Sequence, residues 1–260
     1  MQANSYSQTA LFYDADLDER SSLDLPFYLG LAKELPNPSI LELACGTGRV
    51  TLALLTAGYR VTGIDHSLSM LQILRRRLAL YTATERRRLH LEHTSIANFA
   101  LDQRFHLAIA PFRSLQMLTP SELVTCLQAV AKHLLPTATF AFDMINIDEV
   151  DPAELEVSDL FCWEAEDETD GTLVRKWMTS TLLKEGELLQ VEQQLTYEVR
   201  SPQGKSQQLK DTLRFYCYTP QELEAILRSV GLQVQNIYGG FQGEALGHSV
   251  DMIYRVSTTS

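Results

Sequence analysis

A doubly wound α/β sheet, with a small antiparallel sheet inserted late in the chain, is the fold class this sequence predicts. Three observations carry the prediction. From residue 39 to about 143, short apolar runs alternate with segments of helical periodicity. The first of these runs ends in a glycine turn, Cys45-Gly46-Thr47-Gly48. Between about residues 159 and 218 the rhythm gives way to four long β-type runs, after which helix and strand resume.

Each element follows from its residues. A leading helix is expected over 16–35, stopped by Pro36 and Pro38. A strand at 39–44 enters the glycine turn, and a helix at 49–57 ends at Gly58. A second strand at 60–64 precedes a helix at 67–81, with Met70, Leu71, Leu74 and Leu78 on one face. Further strands are expected at 90–92, 105–110 and 139–143. Thr119-Pro120-Ser121-Glu122 is a capping box that opens a helix running to about residue 135. The four β-type runs, 159–166, 172–184, 188–200 and 206–218, are separated by turn signals such as Asp170-Gly171 and Glu185-Gly186. In the third run Leu189, Val191, Leu195, Tyr197 and Val199 alternate with polar residues, the mark of a half-buried antiparallel strand. A second capping box at Thr219 starts a helix ending at Gly231, and strands at 232–238 and 249–256 complete the chain. The expected organisation is one α/β domain from 1–154 and 219–260, with 155–218 inserted as an antiparallel lid.

Composition narrows the function. Lys and Arg total 22 against 33 Asp and Glu, a net charge of −11, which disfavours nucleic acid as a partner. Arg75–Arg77 and Arg86–Arg88 fall in one expected helical region and read as a solvated face. With 45% hydrophobic and 21% charged residues the chain reads as a folded globular protein, and no uninterrupted apolar run suggests a membrane span. The opening residues have no basic and apolar leader, so a cytoplasmic protein is expected. Cys45, Cys126, Cys162 and Cys217 are scattered without a CxxC pair, so free thiols and no metal site are expected.

The chemistry lies in Leu41-Glu42-Leu43-Ala44-Cys45-Gly46-Thr47-Gly48-Arg49. A glycine turn after a first strand exposes bare backbone at the positive end of a helix, where a ligand can lie close. Asp65, at the tip of the second strand, is placed to accept ribose hydroxyls. Together they indicate an adenosine-containing cofactor. Ala44, Gly46 and Arg49 stand where a dinucleotide site needs three glycines, which argues against nicotinamide and flavin.

LELACGTGR followed by VTGIDHSLSML resembles the class I S-adenosylmethionine-dependent methyltransferases, and the likeness runs from about Tyr13 to Tyr254. The resemblance implies a seven-stranded Rossmann-like sheet, S-adenosylmethionine as cofactor, and methyl transfer to an N or O of a small-molecule acceptor. The late β insertion is similar to that of enzymes acting on amino sugars, glycine derivatives and antibiotic intermediates. Carried over, Glu42 and the turn of Ala44, Cys45, Gly46 and Gly48 hold the methionine end. Asp65 holds the ribose, with His66 and Met70 beside the adenine. Ser95 and Ile96 occupy the positions that flank the ring. Pro111 and Phe112 line cofactor and acceptor, and Tyr13 closes over the cofactor.

For the acceptor, Asp143 at a strand's carboxyl edge is a candidate to orient an amine or hydroxyl, or else a capping acid. His248 is a candidate base or hydrogen-bond donor. Arg214 and Tyr216 share a strand face with Tyr218 and are expected to face the acceptor; Leu209, Leu213, Phe215 and Cys217 share the other. Alternative roles remain: the sheet as a homodimer interface, and the whole chain as a catalytically silent cofactor-binding module.

Overall fold

The computed structural model describes residues 6–16, 20–166, 170–185 and 188–258. A seven-stranded sheet forms the body, from β1 (Ser39–Leu43), β2 (Arg60–Asp65), β3 (Leu89–His93), β4 (Phe105–Ala110), β5 (Leu134–Ile145), β10 (Leu232–Tyr238) and β11 (Asp251–Thr258). Their spatial order is β10-β11-β5-β4-β1-β2-β3. The pairs among β1 to β5 are parallel, and β11 runs antiparallel to both of its neighbours.

Alternation along these strands fills two cores. Leu41, Leu43, Ala108, Phe140 and Phe142 pack on one face with α5 (Pro120–His133) and α6 (Pro220–Ser229). Ile40, Leu107, Ile109 and Ala141 pack on the other with α1 (Arg20–Lys33) and α2 (Arg49–Thr56). With helices on both faces the central strands are largely apolar, as buried parallel sheets require, with Glu42 and Asp65 as buried exceptions toward the carboxyl ends of β1 and β2. Thr119 and Thr219 cap α5 and α6 in full capping boxes, each with Pro at the first helical position.

The expected leading helix is α1, which ends at Lys33 ahead of Pro36, and a 3-10 turn, Ala10–Asp16, stands before it. One expected element is corrected. The two arginine runs are split, Arg75–Arg77 lying in α3 (Leu68–Leu78) and Arg86–Arg88 running out of the single turn α4 (Ala83–Arg86), because Thr82 caps a new start. Arg77 is also more than a solvated charge: it donates to the Thr47 carbonyl oxygen at 3.2 Å and pairs with Asp14.

β6 (Val157–Glu166), β7 (Leu173–Glu185), β8 (Leu188–Arg200) and β9 (Ser206–Cys217) form a separate antiparallel sheet in that order. Gln116, fully buried in the 3-10 turn after β4, ties it to the body. Its amide donates to the Tyr216 carbonyl at 3.2 Å and accepts from the Ile145 N–H at 2.7 Å. Among the described residues no helix is long and apolar enough to cross a membrane.

Candidate active site

The site opens at the carboxyl ends of β1, β2 and β4, where strand order turns from β2 to β4 around β1. Such a switch point leaves a crevice in an open α/β sheet. Ala44, Gly46 and Gly48 all adopt left-handed backbone, with φ of 53°, 55° and 91°. The two glycines are needed for different reasons. A Cβ on Gly46 would meet nothing nearer than 3.9 Å, so its backbone lies bare toward the crevice. A Cβ on Gly48 would fall 2.2 Å from Leu74 Cδ1, so that glycine permits the close approach of α3.

Asp65 is buried beside this turn. Its Oδ2 accepts the Gly46 N–H at 2.8 Å and its Oδ1 the Ser67 N–H at 2.7 Å. Burial pushes its carboxyl pKa above the ordinary value, and those two N–H groups act against the shift. A small chamber of about 60 Å³ follows, lined by Ala44, Gly46, Asp65, His66, Met70 and Phe112, with Tyr6, Tyr13 and Met117 among the rest. An outer groove shares Ala44 and His66 and adds Ser95 and Ile96.

Four residues expected at the cofactor stand behind this lining. Glu42 lies beneath the turn, 2% exposed, and accepts from the Thr51 hydroxyl at 2.6 Å. Burial pushes its carboxyl up to about 8, so it is neutral near pH 7 and braces α2 instead of facing a ligand. The Cys45 side chain turns away to pack with Leu71 and Leu74, and burial holds its thiol well above the ordinary value. Gly48 caps α2, and Pro111 is buried behind the lining.

After β4 the chain makes a strained turn, with Phe112 and Arg113 both at φ 60°. Asp143 holds it. Its Oδ1 accepts the Phe112 N–H at 2.9 Å and the Tyr28 hydroxyl at 2.7 Å, while Oδ2 accepts the Arg113 N–H at 2.9 Å. Asp143 is fully buried, so the structure corrects its expected contact with the acceptor. It positions the Phe112 ring, which meets Tyr13 edge-on at 6.4 Å and lies 5.4 Å from the Arg49 guanidinium.

A third, larger cavity of about 240 Å³ lies between this turn and the antiparallel sheet and shares Tyr6, Tyr13, Phe112 and Met117 with the chamber. Its far wall is Met178, Val191, Leu195, Leu213 and Phe215. The expected face of β9 is therefore reversed. Arg214 and Tyr216 line the outer groove near Ser95 and Ile96, while Leu213, Phe215 and Cys217 line the cavity. Tyr216 is buried in the main core, and Arg214 pairs with Glu192 at 2.8 Å. His248 sits exposed in the loop between β10 and β11 and is absent from the linings of all three spaces.

Residues that sequence reasoning missed come from the amino-terminal segment and from β7 to β9. Asp211 accepts from the Thr9 hydroxyl at 2.6 Å and from the Thr9 N–H at 3.1 Å. Asp16 accepts from Lys176 at 2.6 Å, the Trp163 indole at 2.7 Å and the Tyr197 hydroxyl at 3.0 Å. Asp14 accepts from the Thr47 hydroxyl at 2.8 Å. The segment thus bridges the glycine turn and the antiparallel sheet, which carries Tyr13 across the junction of the spaces. Separations of up to 202 residues leave no local motif to announce these contacts.

Residues 40–137 match the family model of a methyltransferase domain. Over 210 residues the chain is 27% identical to dTDP-3-amino-3,6-dideoxy-alpha-D-glucopyranose N,N-dimethyltransferase of Streptomyces fradiae, covering 80% of this chain and 75% of that protein. An S-adenosylmethionine-dependent methyltransferase from Clostridium acetobutylicum superposes with a TM-score of 0.76 at 20% identity, over 99% of this chain and 100% of that one. The CcbJ methyltransferase of Streptomyces caelestis also gives 0.76, at 21% identity over 99% of both chains.

Proposed function

Because this chain belongs with the class I S-adenosylmethionine-dependent methyltransferases in domain and fold, we propose that it methylates a nitrogen of a small-molecule acceptor held in the large cavity. One observation carries the reading: two spaces of different chemistry meet at Tyr13, Phe112 and Met117. Nitrogen is favoured by the amino-sugar N,N-dimethyltransferase among the relatives.

The chamber suits an adenosine. Gly46 offers backbone without a side chain, Asp65 is a buried acceptor for hydroxyls, and Ile96 and His66 border the groove with flat or apolar surface. When bound, S-adenosylmethionine supplies a methyl group on a positively charged sulfur, open to attack by a lone pair. The protein's work is then orientation and exclusion of water. Phe112, locked by Asp143, and Tyr13, carried by the amino-terminal segment, wall the junction; the antiparallel sheet closes the cavity from above. The acidic surface supports a small acceptor over a nucleic acid.

Calorimetry with S-adenosylmethionine and S-adenosylhomocysteine tests the premise. Asp65→Ala should weaken both by about 1.5–3 kcal/mol, the loss of a charged hydrogen bond. Unchanged affinity in that variant, or a preference of the wild type for NAD, would sink the assignment. Release of S-adenosylhomocysteine with a panel of primary and secondary amines then tests the transfer itself.

A further inference from the structure

Charged donors outweigh acceptors around the large cavity. Its lining carries two cations, Arg113 and Lys176, against one carboxylate, Asp16. Asp16 is largely spent, since it accepts from Lys176, the Trp163 indole and the Tyr197 hydroxyl. The Gln116 amide is used at both ends in joining the sheets, and Gln193 offers a donor and an acceptor alike.

The cations keep donors in reserve. Arg113 gives its Nη2 to Asp251 at 2.8 Å, while its Nε and Nη1 meet no acceptor among the described residues. Asp251 thus meets the guanidinium by one prong and holds it without saturating it. Nε is buried and unpaired, a standing cost that a small turn of the guanidinium onto a ligand oxygen would relieve. Lys176 has Asp16 as its acceptor and further N–H groups beyond that bond. Tyr6 and Tyr13 line the same cavity, and neither hydroxyl has a partner among the described residues. Burial pushes both phenols above the ordinary value, so they stay protonated and can donate.

A wall with charged donors to spare and its carboxylate spent is complementary to a group that only accepts. Resting on the methyltransferase reading, we infer that the acceptor carries an oxyanion, a carboxylate or a phosphate, and that Arg113 is the residue that anchors it. Placement supports the assignment. Arg113 follows Phe112, which walls the junction, yet it lines the large cavity and not the chamber, so its spare donors serve the acceptor's side. Asp143 takes its N–H at 2.9 Å and Asp251 its Nη2, so the guanidinium is set in place before a ligand arrives. Asp16 and Asp251 balance the two cations, so the attraction comes from directed donors at short range. The apolar far wall takes the rest of the molecule, the usual division in small-molecule sites.

The probes are phenylacetate, its neutral isostere phenylacetamide, and phenyl phosphate, titrated by calorimetry into protein saturated with S-adenosylhomocysteine. At least one of the two anions should bind about fivefold or more tighter than phenylacetamide. The tighter of the two assigns the oxyanion as carboxylate or phosphate. Arg113→Gln should erase the preference, bringing that anion within about twofold of phenylacetamide, whose own affinity should change by less than about twofold. Arg113→Lys keeps the charge without the planar fork, and should retain part of the preference. Leu213→Trp, which fills the cavity from β9, should abolish binding of every probe and leave S-adenosylhomocysteine affinity within about twofold. The inference is overturned if phenylacetamide binds as tightly as both anions, if Arg113→Gln leaves the preference intact, if an anion still binds Leu213→Trp, or if no probe binds the wild type. The wild-type comparison and Leu213→Trp decide the matter even where an Arg113 variant does not fold. Failure of S-adenosylhomocysteine itself to bind overturns the methyltransferase reading beneath it, a result the first titration separates from the others.

Discussion

At the carboxyl ends of β1 and β2 the chamber is floored by the main chain of the glycine turn and the buried Asp65 carboxylate, whereas across the cleft β7, β8 and β9 offer side chains from a sheet with two usable faces. The first wall is specified by contiguous residues: left-handed Ala44, Gly46 and Gly48, then Asp65 hydrogen-bonded back to Gly46. The second is specified by which face of each strand turns inward, and that is settled by contacts far away in the chain. Gln116 clamps β9 to the body and Thr9 engages Asp211, so the odd-numbered residues of β9 are turned toward the cavity. A backbone wall tolerates many sequences behind it and few within it. A side-chain wall can change its ligand by single substitutions without disturbing the fold.

The largest expected effect tests the footing of the backbone wall. Glu42 titrates near 8 in the folded protein because it is buried, against 4.5 ordinarily. Above pH 4.5 the unfolded chain has lost this proton while the folded chain keeps it, so the unfolded state binds fewer protons. Stability attributable to Glu42 therefore falls as pH rises from about 4.5 to 8 and is level outside that window. Glu42→Gln imitates the neutral form and retains an acceptor for Thr51. Relative to wild type it should gain on the order of 3–5 kcal/mol between pH 5 and pH 8. Urea unfolding across that range measures the difference, and parallel pH profiles for the two proteins would show that Glu42 is not the titrating group.

The next contrast lies within the turn itself. Gly48→Ala combines φ 91° with a methyl driven into Leu74, and should cost about 2–4 kcal/mol of stability. Gly46→Ala has room, so only its left-handed backbone is penalised, by about 1 kcal/mol. Its methyl faces the chamber, however, and cofactor affinity should drop about tenfold or more. Denaturation and calorimetry on both variants separate the roles; equal stability losses would mean that the two glycines serve one purpose.

These differences explain what could be read from the sequence. The seven strands, both capping boxes and the glycine turn with Asp65 are local signals, carried by periodicity and by residues close in the chain. The alternation of β9 was equally visible, but alternation names two faces without saying which is inward. Arg214 and Tyr216 looked suited to an acceptor by chemistry alone, yet Tyr216 completes the main core and Leu213 and Phe215 meet the cavity. Asp143 stands out in the sequence by its place at a strand edge; only the fold shows both its oxygens committed to Phe112, Arg113 and Tyr28. Asp16 and Lys176 lie 160 residues apart and carry no motif.

A third test exchanges effects between the two faces of β9. Leu213→Ala removes part of the apolar wall opposite Gln193, and should raise the acceptor KM roughly tenfold, about 1.4 kcal/mol, while cofactor affinity holds within about twofold. Steady-state kinetics with an accepted amine provides the readout. A change confined to cofactor affinity would move the acceptor elsewhere.

The smallest effect belongs to Arg214→Ala, and its smallness is the point. The side chain is half exposed, at 50%, and its ion pair with Glu192 is of the surface kind. Such pairs contribute at most about 1 kcal/mol, so unfolding should change by less than that. The residue lines the outer groove beside Ser95 and Ile96, on the opposite side of β9 from Leu213. Acceptor KM should therefore stay within about twofold of wild type, because uncoupled sites share little free energy. S-adenosylmethionine affinity should rise by up to about twofold, since a cation at the groove's rim no longer repels the net positive cofactor. Added salt provides an internal check: the difference between Arg214→Ala and wild type should shrink as ionic strength screens the rim charge, whereas the Leu213→Ala defect, being apolar, should persist. A tenfold acceptor effect from Arg214→Ala, with cofactor binding intact, would turn β9 over and return its polar face to the cavity.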